Sequence, residues 1–262
     1  MLTIVCLKWG TSFPSVHVNV LYQSVKRNLS IPFRFVCLTD HPVGIADGIE
    51  TMPIPDMGLE PERWAHGMWP KMTLYKPGLF PDADLVLYLD LDVMVVAPLD
   101  PFIERARANG GFHILREWNP ALWSLLPVAL RPDRGAQSSL MAFRPEEVGY
   151  IFDTFMADKE GAFATSPGDQ DFLTLTVKDR HYWPHDWCVS FKRSCVWYFP
   201  FNLIFKKVVR PRNARIIIFH GDPRPWHLIR KPGVRWGTGR KFGYQPVEWV
   251  KDYYRLAGEA VD

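Results

Sequence analysis

Short apolar runs alternate with stretches of helical periodicity over the first half of the chain. LTIVCL (residues 2–7) reads as a strand. Val16, Val20, Leu21, Val25 and Leu29 then recur at helical spacing, and RFVCLTD (34–40) reads as a second strand. A short strand is expected across 49–54. Residues 63–80 begin as a helix that Pro70 and Pro77 break. LVLYLDLDVMVV (85–96) is the longest apolar run. It is followed by the helical pattern PLDPFIERARA (98–108) and the strand GGFHILRE (110–117). Residues 119–134 are proline-punctuated and irregular. SSLMAF (138–143) reads as a strand, and EEVGYIFDTFMAD (146–158) and DQDFLTLTV (169–177) as helices. After Arg180 the pattern loosens, apart from the strand ARIIIFH (214–220) and an amphipathic terminal helix in PVEWVKDYYRLA (246–257).

Strands alternating with helices predict an α/β fold with a mostly parallel central sheet flanked by helices and an irregular C-terminal third packed on it. In such sheets ligands bind beyond the carboxyl ends of the strands. No internal repeat, low-complexity tract or long linker interrupts the chain, so a single domain is expected over 1–262.

Composition narrows the classes. A 47% hydrophobic content with 14% aromatics supports a sizeable core. The net charge of +3 gives no general pull toward nucleic acid. Lys and Arg are nonetheless concentrated between 192 and 241, where acids are few, which fits a local anion site, a surface that approaches membrane or phosphate, or an ordinary solvated face. The four cysteines form no CxxC pair, and Cys6 and Cys37 fall in apolar runs, as expected of reduced buried thiols. MLTIVCLKW has no basic leader, and no segment reaches the ~18 apolar residues of a spanning helix. A soluble cytoplasmic protein is expected.

The run VLYLDLDVMVV (86–96) poses a problem, because it places Asp90 and Asp92 inside an apolar strand. Burying carboxylates is costly, and two close together repel. On an extended backbone, residues two apart leave on one side. Two convergent carboxylates at a strand end suit a hard cation such as Mn²⁺ or Mg²⁺, which would remove their repulsion. The ordinary alternative is a chance DxD in a surface turn.

YLDLDVMVV resembles the DxD element of nucleotide-sugar-dependent glycosyltransferases of the A-type, Rossmann-like fold, and is most similar to glycosyltransferase family 8. That resemblance implies a single-domain nucleotide-diphospho-sugar transferase fold in which residues 1–116 bind nucleotide and metal and 117–262 bind donor sugar and acceptor. It makes Asp90, Asp92 and His220, in IIIFHGDPRPW (216–226), the metal ligands. Arg224 stands where the family's lysine meets the diphosphate, and Gly221 lies beside it. The segment is two residues shorter than the family's HFxGxxKPW pattern and has Arg for Lys. An imidazole beside two carboxylates suits Mn²⁺, and Arg suits phosphate; a histidine after an apolar strand can equally be structural.

The same resemblance assigns Leu7, Lys8, Trp9 and Phe13 of CLKWGTSF to base and ribose. Thr39, Asp40, Lys71 and Leu91 join the nucleotide set. Gln137, Ser138 and Ser139 of GAQSSLMAF occupy the places of the family's NSG, and Asp169 and Gln170 of SPGDQDFL those of its DQ element, with Asp171 next to them. These would hold the donor sugar, with Asp169 and Gln170 flanking the anomeric carbon. Each has an ordinary reading too: a structural Trp9, a turn cap at Asp40, an exposed helix lysine at Lys71, and helix-start acids at Asp169 and Asp171.

The expected function is metal-dependent transfer of a sugar from a UDP-sugar to a hydroxyl of a glycan, lipid-linked or small-molecule acceptor, with retention, in surface-polysaccharide assembly. A nucleotidyltransferase is the first alternative, although WGTSFPS lacks a Gly-rich phosphate loop. A non-catalytic, cation-dependent sugar-binding protein is the second, although it has no use for Lys71 and Arg224. The aromatic and basic stretch CVWYFPFNLIFKKVVR (195–210) reads as core packing, with contact to a lipid-linked acceptor at the inner membrane face as the alternative.

Overall fold

The structure, a computed structural model, describes residues 1–119, 123, 126–197 and 199–260. Parts of the irregular 119–134 stretch and of 195–210 therefore lie outside the described residues. The chain packs as two compact units, each discontinuous in sequence. The first comprises 1–13, 32–90 and 101–183, and the second 14–31, 91–100 and 184–262.

The first unit is built on a seven-stranded sheet. Its strands are β1 (Leu2–Lys8), β2 (Arg34–Thr39), β3 (Glu50–Met52), β4 (Leu85–Leu89), β6 (Phe112–Arg116), β7 (Ala136–Phe143) and β8 (Arg180–Tyr182), in the order β3-β2-β1-β4-β7-β6-β8. The β1–β2, β1–β4, β2–β3 and β6–β8 pairs are parallel. Strand β7 runs antiparallel to both β4 and β6, so the sheet is mixed. Every residue of β1, β4 and β7 is buried. This is the signature of strands covered on both faces, and it explains why LTIVCL and LVLYL show no polar alternation.

One face of this sheet presents Val5 and Leu7, Val36 and Leu38, Val86 and Tyr88, Ile114, and Met141 and Phe143, each pair following the two-residue period of a strand. Helices α2 (Pro61–Ala65), α4 (Pro145–Ala157), α5 (Lys159–Thr165) and α6 (Asp169–Thr176) belong to this unit, as does a 3₁₀ helix over Trp69–Tyr75 that Pro70 opens. Trp69 is buried in a cage of rings. It stacks on Phe155 at 5.2 Å and meets Phe163 and Phe172 edge-on at 5.0 and 6.0 Å. This packing fixes the 3₁₀ helix that carries Lys71.

The second unit has α1 (Ser15–Asn28), β5 (Val93–Val95), β9 (Cys188–Ser190), α7 (Phe201–Ile204), β10 (Ile216–Ile218), the β11–β12 hairpin (Trp236–Thr238, Lys241–Gly243) and α8 (Glu248–Arg255). Its three-stranded sheet has the order β5-β10-β9. A single strand over 85–96 is not found. The chain leaves the first sheet at Leu89, turns at Leu91 and Asp92, and enters the second sheet at Val93. The extended-backbone argument for the two acids therefore does not hold. The helix expected from 63 is two short elements, and the C-terminal third contains more short strands than its composition suggested.

Helix α3 (Asp100–Asn109) buries Phe102, Ile103 and Ala106, matching the predicted helical spacing. No helix among the described residues is long and apolar enough to cross a membrane. The 195–210 stretch departs from the core-packing expectation: Trp197, Phe201, Leu203, Ile204 and Phe205 are exposed.

Replacing Trp69 by Ala removes the hub of the ring cage. We expect a loss of about 3–5 kcal/mol, read as a lower urea midpoint by tryptophan-independent far-UV circular dichroism.

Candidate active site

Four of the expected site residues meet in the first unit. Lys71 is 2% exposed, which removes the reading of it as a surface helix lysine. Its Nζ reaches Asp90 Oδ1 at 2.8 Å and Oδ2 at 3.0 Å, donates to Ser138 Oγ at 3.2 Å, and stands 3.8 Å from Asp169 Oδ2. Tyr88 donates its hydroxyl to Asp90 Oδ1 at 2.6 Å. Asp90 directly follows β4, and its backbone N–H donates to the Ser139 carbonyl of β7 at 3.0 Å. Thus β4 supplies Tyr88 and Asp90, the 3₁₀ helix supplies Lys71, β7 supplies Ser138, and the start of α6 supplies Asp169. The cluster lies at the carboxyl end of β4, where this class of sheet presents ligands.

Asp169 is held by a close approach of two glycine backbones. Its N–H donates to the Gly67 carbonyl at 2.8 Å. A Cβ on Gly168 would stand 3.0 Å from that same oxygen and 3.1 Å from the Gly67 Cα, and Gly67 itself has φ +84°. Only glycine brings these chains together without displacing Asp169. Asp169 is 2% exposed, and its Oδ2 makes no hydrogen bond. Burial raises its pKa to about 6, against the opposing pull of Lys71 and the Ser138 hydroxyl, and the charge of Asp90 adds to the rise. Gln137 and Ser139 are also buried. Gln137 Nε2 donates to Ser139 Oγ at 2.5 Å, and Ser139 N–H donates to Gln137 Oε1 at 3.0 Å, which stiffens the strand around Ser138.

The expected nucleotide residues gather at the ends of β1 and β2. Lys8 is buried, with its Nζ 3.4 Å from the carbonyls of Gly10 and His41. Asp40 is exposed and accepts from Gly10 N–H at 3.1 and 3.0 Å, while Thr39 Oγ1 accepts from His41 N–H at 3.0 Å. Asp40 thus holds the turn after β1, the structural reading of that residue. Trp9 packs partly against the core, and Phe13 is half-buried. Gln170 is half-buried on α6, and Asp171 is exposed.

The remaining residues lie in the second unit. Asp92 is buried, and its Oδ2 is in direct contact with Arg224 Nη1. Arg224 Nη1 also donates to the Phe219 carbonyl at 3.4 Å, and Phe219 N–H donates to the Asp92 carbonyl at 3.1 Å. Leu91 is buried. Gly221 is exposed at φ +73°. His220 Nε2 lies 2.7 Å from Ser190 Oγ. Burial pushes the His220 pKa down to about 4, and the charges of Lys192, Arg193 and Lys241 push it the same way.

Among the described residues, no group of three or more His, Cys, Asp and Glu side chains is placed to hold a metal ion. Each expected ligand is engaged inside its own unit: Asp90 by Lys71 and Tyr88, Asp92 by Arg224, and His220 by Ser190. Asp90 and Asp92 fit a hard divalent cation by donor chemistry. His220, kept neutral chiefly by its burial, has the protonation state an imidazole ligand needs, while the charges of Lys192, Arg193 and Lys241 also bear on it. Sequence reasoning missed Tyr88, although its two-residue spacing from Asp90 was a usable signal. It also missed the glycine pair Gly67 and Gly168, which only the tertiary approach reveals.

The fold has solved relatives. The galactosyltransferase LgtC, solved with donor and acceptor sugar analogues, superposes with a TM-score of 0.60 at 15% identity, over 98% of this chain and 95% of that one. GlyE of Streptococcus pneumoniae TIGR4 superposes with a TM-score of 0.63 at 13% identity, over 99% of this chain and 62% of that one. The bifunctional glycosyltransferase WbbM gives 0.57 at 12%, over 99% and 50%. No protein-family model and no curated protein matches the chain.

The raised pKa of Asp169 has a consequence for stability. A carboxyl whose pKa rises on folding from 3.8 to about 6 contributes stability that is full below 3.8 and is lost as pH rises through 6. Asp169→Asn abolishes that loss. Its melting temperature should therefore gain on the wild type between pH 4 and 7, by up to roughly 3 kcal/mol equivalent; parallel melting curves across that window would show no such protonation. Gly168→Ala should lower stability and flatten the same pH dependence.

A seven-stranded mixed sheet, a buried lysine–carboxylate cluster at the end of its central strand and the superposition on three glycosyltransferase structures together give this chain the A-type glycosyltransferase fold.

Proposed function

We propose that the protein is a glycosyltransferase that moves a sugar from a nucleotide-sugar, with a UDP-sugar as the favoured donor, to an acceptor hydroxyl. One observation carries this reading: the buried Lys71–Asp90–Ser138–Asp169 cluster, at the strand end where the fold presents ligands. A buried carboxyl with a pKa near 6 can accept or donate a hydrogen bond to sugar hydroxyls. Lys71 and Arg224 are two cationic groups already directed at carboxylates, and the diphosphate leaving group offers oxyanions of the same kind. LgtC has been solved with donor and acceptor sugar analogues, and with an active-site glutamine exchanged for glutamate. Gln170, beside Asp169, is the glutamine we assign to the donor sugar here, with retention of configuration.

Lys8, Trp9, Phe13, Thr39 and Asp40 are assigned to the nucleoside end, and Gln137, Ser139 and Asp171 to sugar hydroxyls. Asp90, beside Lys71, and Asp92, beside Arg224, each offer hard carboxylate oxygens that suit a divalent cation such as Mn²⁺ or Mg²⁺. Such an ion, when bound, supplies charge neutralisation to the diphosphate. Asp169 orients the sugar, Lys71 fixes Asp90 and shares the field of Asp169, and Arg224 faces the departing phosphate.

The acceptor class is suggested by the second unit's surface. Trp197, Phe201, Ile204 and Phe205 expose apolar area next in sequence to Lys206 and Lys207, the pairing of aromatic and basic side chains that suits an interfacial, lipid-linked glycan. A role in surface-polysaccharide assembly at the inner membrane face follows from that reading.

In a thermal-shift panel with Mn²⁺, UDP should stabilise the protein more than ADP or GDP does, its own contribution being about 2.7 kcal/mol at a hundredfold excess over Kd. Equal shifts for the three nucleotides would remove the uridine assignment, and an unchanged UDP shift in EDTA would remove the cation. Asp169→Asn should cut transfer to acceptor by about a hundredfold, with UDP affinity unchanged. Full activity in that variant would end the Asp169 assignment.

A further inference from the structure

The exposed aromatic side chains of 195–210 do not stand alone. With the β11–β12 hairpin they build a cleft inside the second unit. Trp197, Phe205, Trp236, Phe242 and Tyr244 border it, and its free volume is about 570 Å³, counting the mouth. That is room for a small ligand. Trp197 and Phe205 lie 5.3 Å apart between ring centroids, and Phe242 meets Tyr244 edge to face at 5.8 Å.

Hydrogen bonds hold these walls in place. Asn202 of α7 donates from Nδ2 to the Phe242 carbonyl of β12 at 2.9 Å, and Phe199 N–H donates to the Arg240 carbonyl at 2.8 Å. Trp236 Nε1 donates to the Gln245 carbonyl at 2.8 Å, and a Cβ on Gly243 would overlap its indole ring. The cleft is thus tied across from α7 to the hairpin.

Asn202 decides what the cleft suits. It borders the cleft and is 8% exposed, and its Oδ1 has no hydrogen-bond partner among the described residues. A buried amide oxygen left unpaired is costly, and a donor seated beside it removes that cost. A lipid chain has no donor to give, whereas a sugar ring carries hydroxyls around its edge. The walls fit a sugar too. The C–H face of a pyranose is apolar and slightly positive, and the face of an aromatic ring is negative. Charge narrows the class further. Lys206 and Lys207 also border the cleft and are exposed, and Arg235 lies 4.3 Å from the centroid of the Phe242 ring. Neither 195–208 nor 235–245 contains an acid.

We propose that this cleft binds a sugar ring of an acidic glycan, one that carries carboxylates as uronic acids do. Trp197 is the stacking platform, Asn202 Oδ1 accepts from a ring hydroxyl, and Lys206 and Lys207 supply counter-charge. The site deepens the proposed function by naming an acceptor class: calling the glycan the acceptor rests on glycosyl transfer, and the binding itself does not.

The probes are the methyl β-glycosides of glucuronate and galacturonate, with methyl β-glucoside and methyl β-galactoside as their neutral counterparts. Each is titrated in EDTA without nucleotide, with the indole N–H resonances of Trp197 and Trp236 as reporters. At least one uronide should bind saturably and shift both signals. Trp197→Ala and Asn202→Ala should each weaken it roughly tenfold. Replacing Lys206 and Lys207 together by Gln should cost the uronide roughly threefold and leave the neutral sugars unchanged. Trp197 is 54% exposed, so its variant carries the test if Asn202→Ala fails to fold. No uronide binding to the wild type, or wild-type affinity in Trp197→Ala, overturns the site. Octyl phosphate that shifts the same signals and resists displacement by either uronide gives the cleft to a lipid, which also overturns it. So does a dimer that Trp197→Ala dissociates while no uronide binds, because the occupant is then a second copy. Uronide binding in a protein without transfer activity would retire the glycosyl-transfer reading and leave the sugar site standing. Transfer by Trp197→Ala with an unchanged KM for an acidic acceptor would overturn the acceptor assignment.

Discussion

The ion pair between Lys71 and Asp90 is the constraint around which the first unit is arranged. A lysine that is 2% exposed is tolerated only with close counter-charge, and both oxygens of Asp90 supply it, at 2.8 and 3.0 Å. Everything nearby serves to hold that geometry. The Trp69 ring cage fixes the 3₁₀ helix beneath Lys71, and Tyr88 ties down one oxygen of Asp90. The β4–β7 pairing brings Ser138 to the ammonium. Asp169 is then the surplus charge: a second carboxylate beside one lysine already shared. Burial raises its pKa, and the charge of Asp90 adds to the rise against the pull of Lys71 and the Ser138 hydroxyl. Charge arithmetic of this kind leaves a group that can change protonation near neutrality, which is where sugar-binding and catalytic carboxyls are useful.

Much of the sheet was legible because its strands are buried on both faces and read as unbroken apolar runs, as in LTIVCL and LVLYL. Helices α1 and α3 were legible from their periodicity. The division of 85–96 was not, since apolar residues continue through Leu91 and into Val93, and nothing local marks Leu91 and Asp92 as a turn. Periodicity reports burial, and both strands are buried, but it does not report which sheet a strand joins. The same limit explains Trp197 and Phe205. An aromatic run predicts a core by composition, whereas exposure depends on what the rest of the chain brings to cover it.

At the site, residue type and spacing singled out Asp90 and the family resemblance pointed to Lys71, Ser138 and Asp169, and the fold brings these four together although they come from stretches far apart in sequence. The partners that set their chemistry were harder to see. Tyr88 looked like core, and it is core, with only its hydroxyl turned to Asp90. Gly67 and Gly168 signal nothing until two backbones meet. For His220 the sequence showed a place after an apolar strand, while the groups that set its surroundings, Ser190 and the charges of Lys192, Arg193 and Lys241, come from elsewhere in the chain.

The opening difficulty of two acids in an apolar run thus receives a local answer in each unit. Asp90 is neutralised by Lys71 and Asp92 by Arg224, so neither carboxylate is an unpaired buried charge in the folded protein. Both pairs join a carboxylate to a group that also binds phosphoryl oxygens well. In either pair taken by itself, a phosphoryl oxygen would compete with the carboxylate for the cation. Anion binding at one pair and neutralisation of that pair's own acid would therefore favour each other by the same free energy.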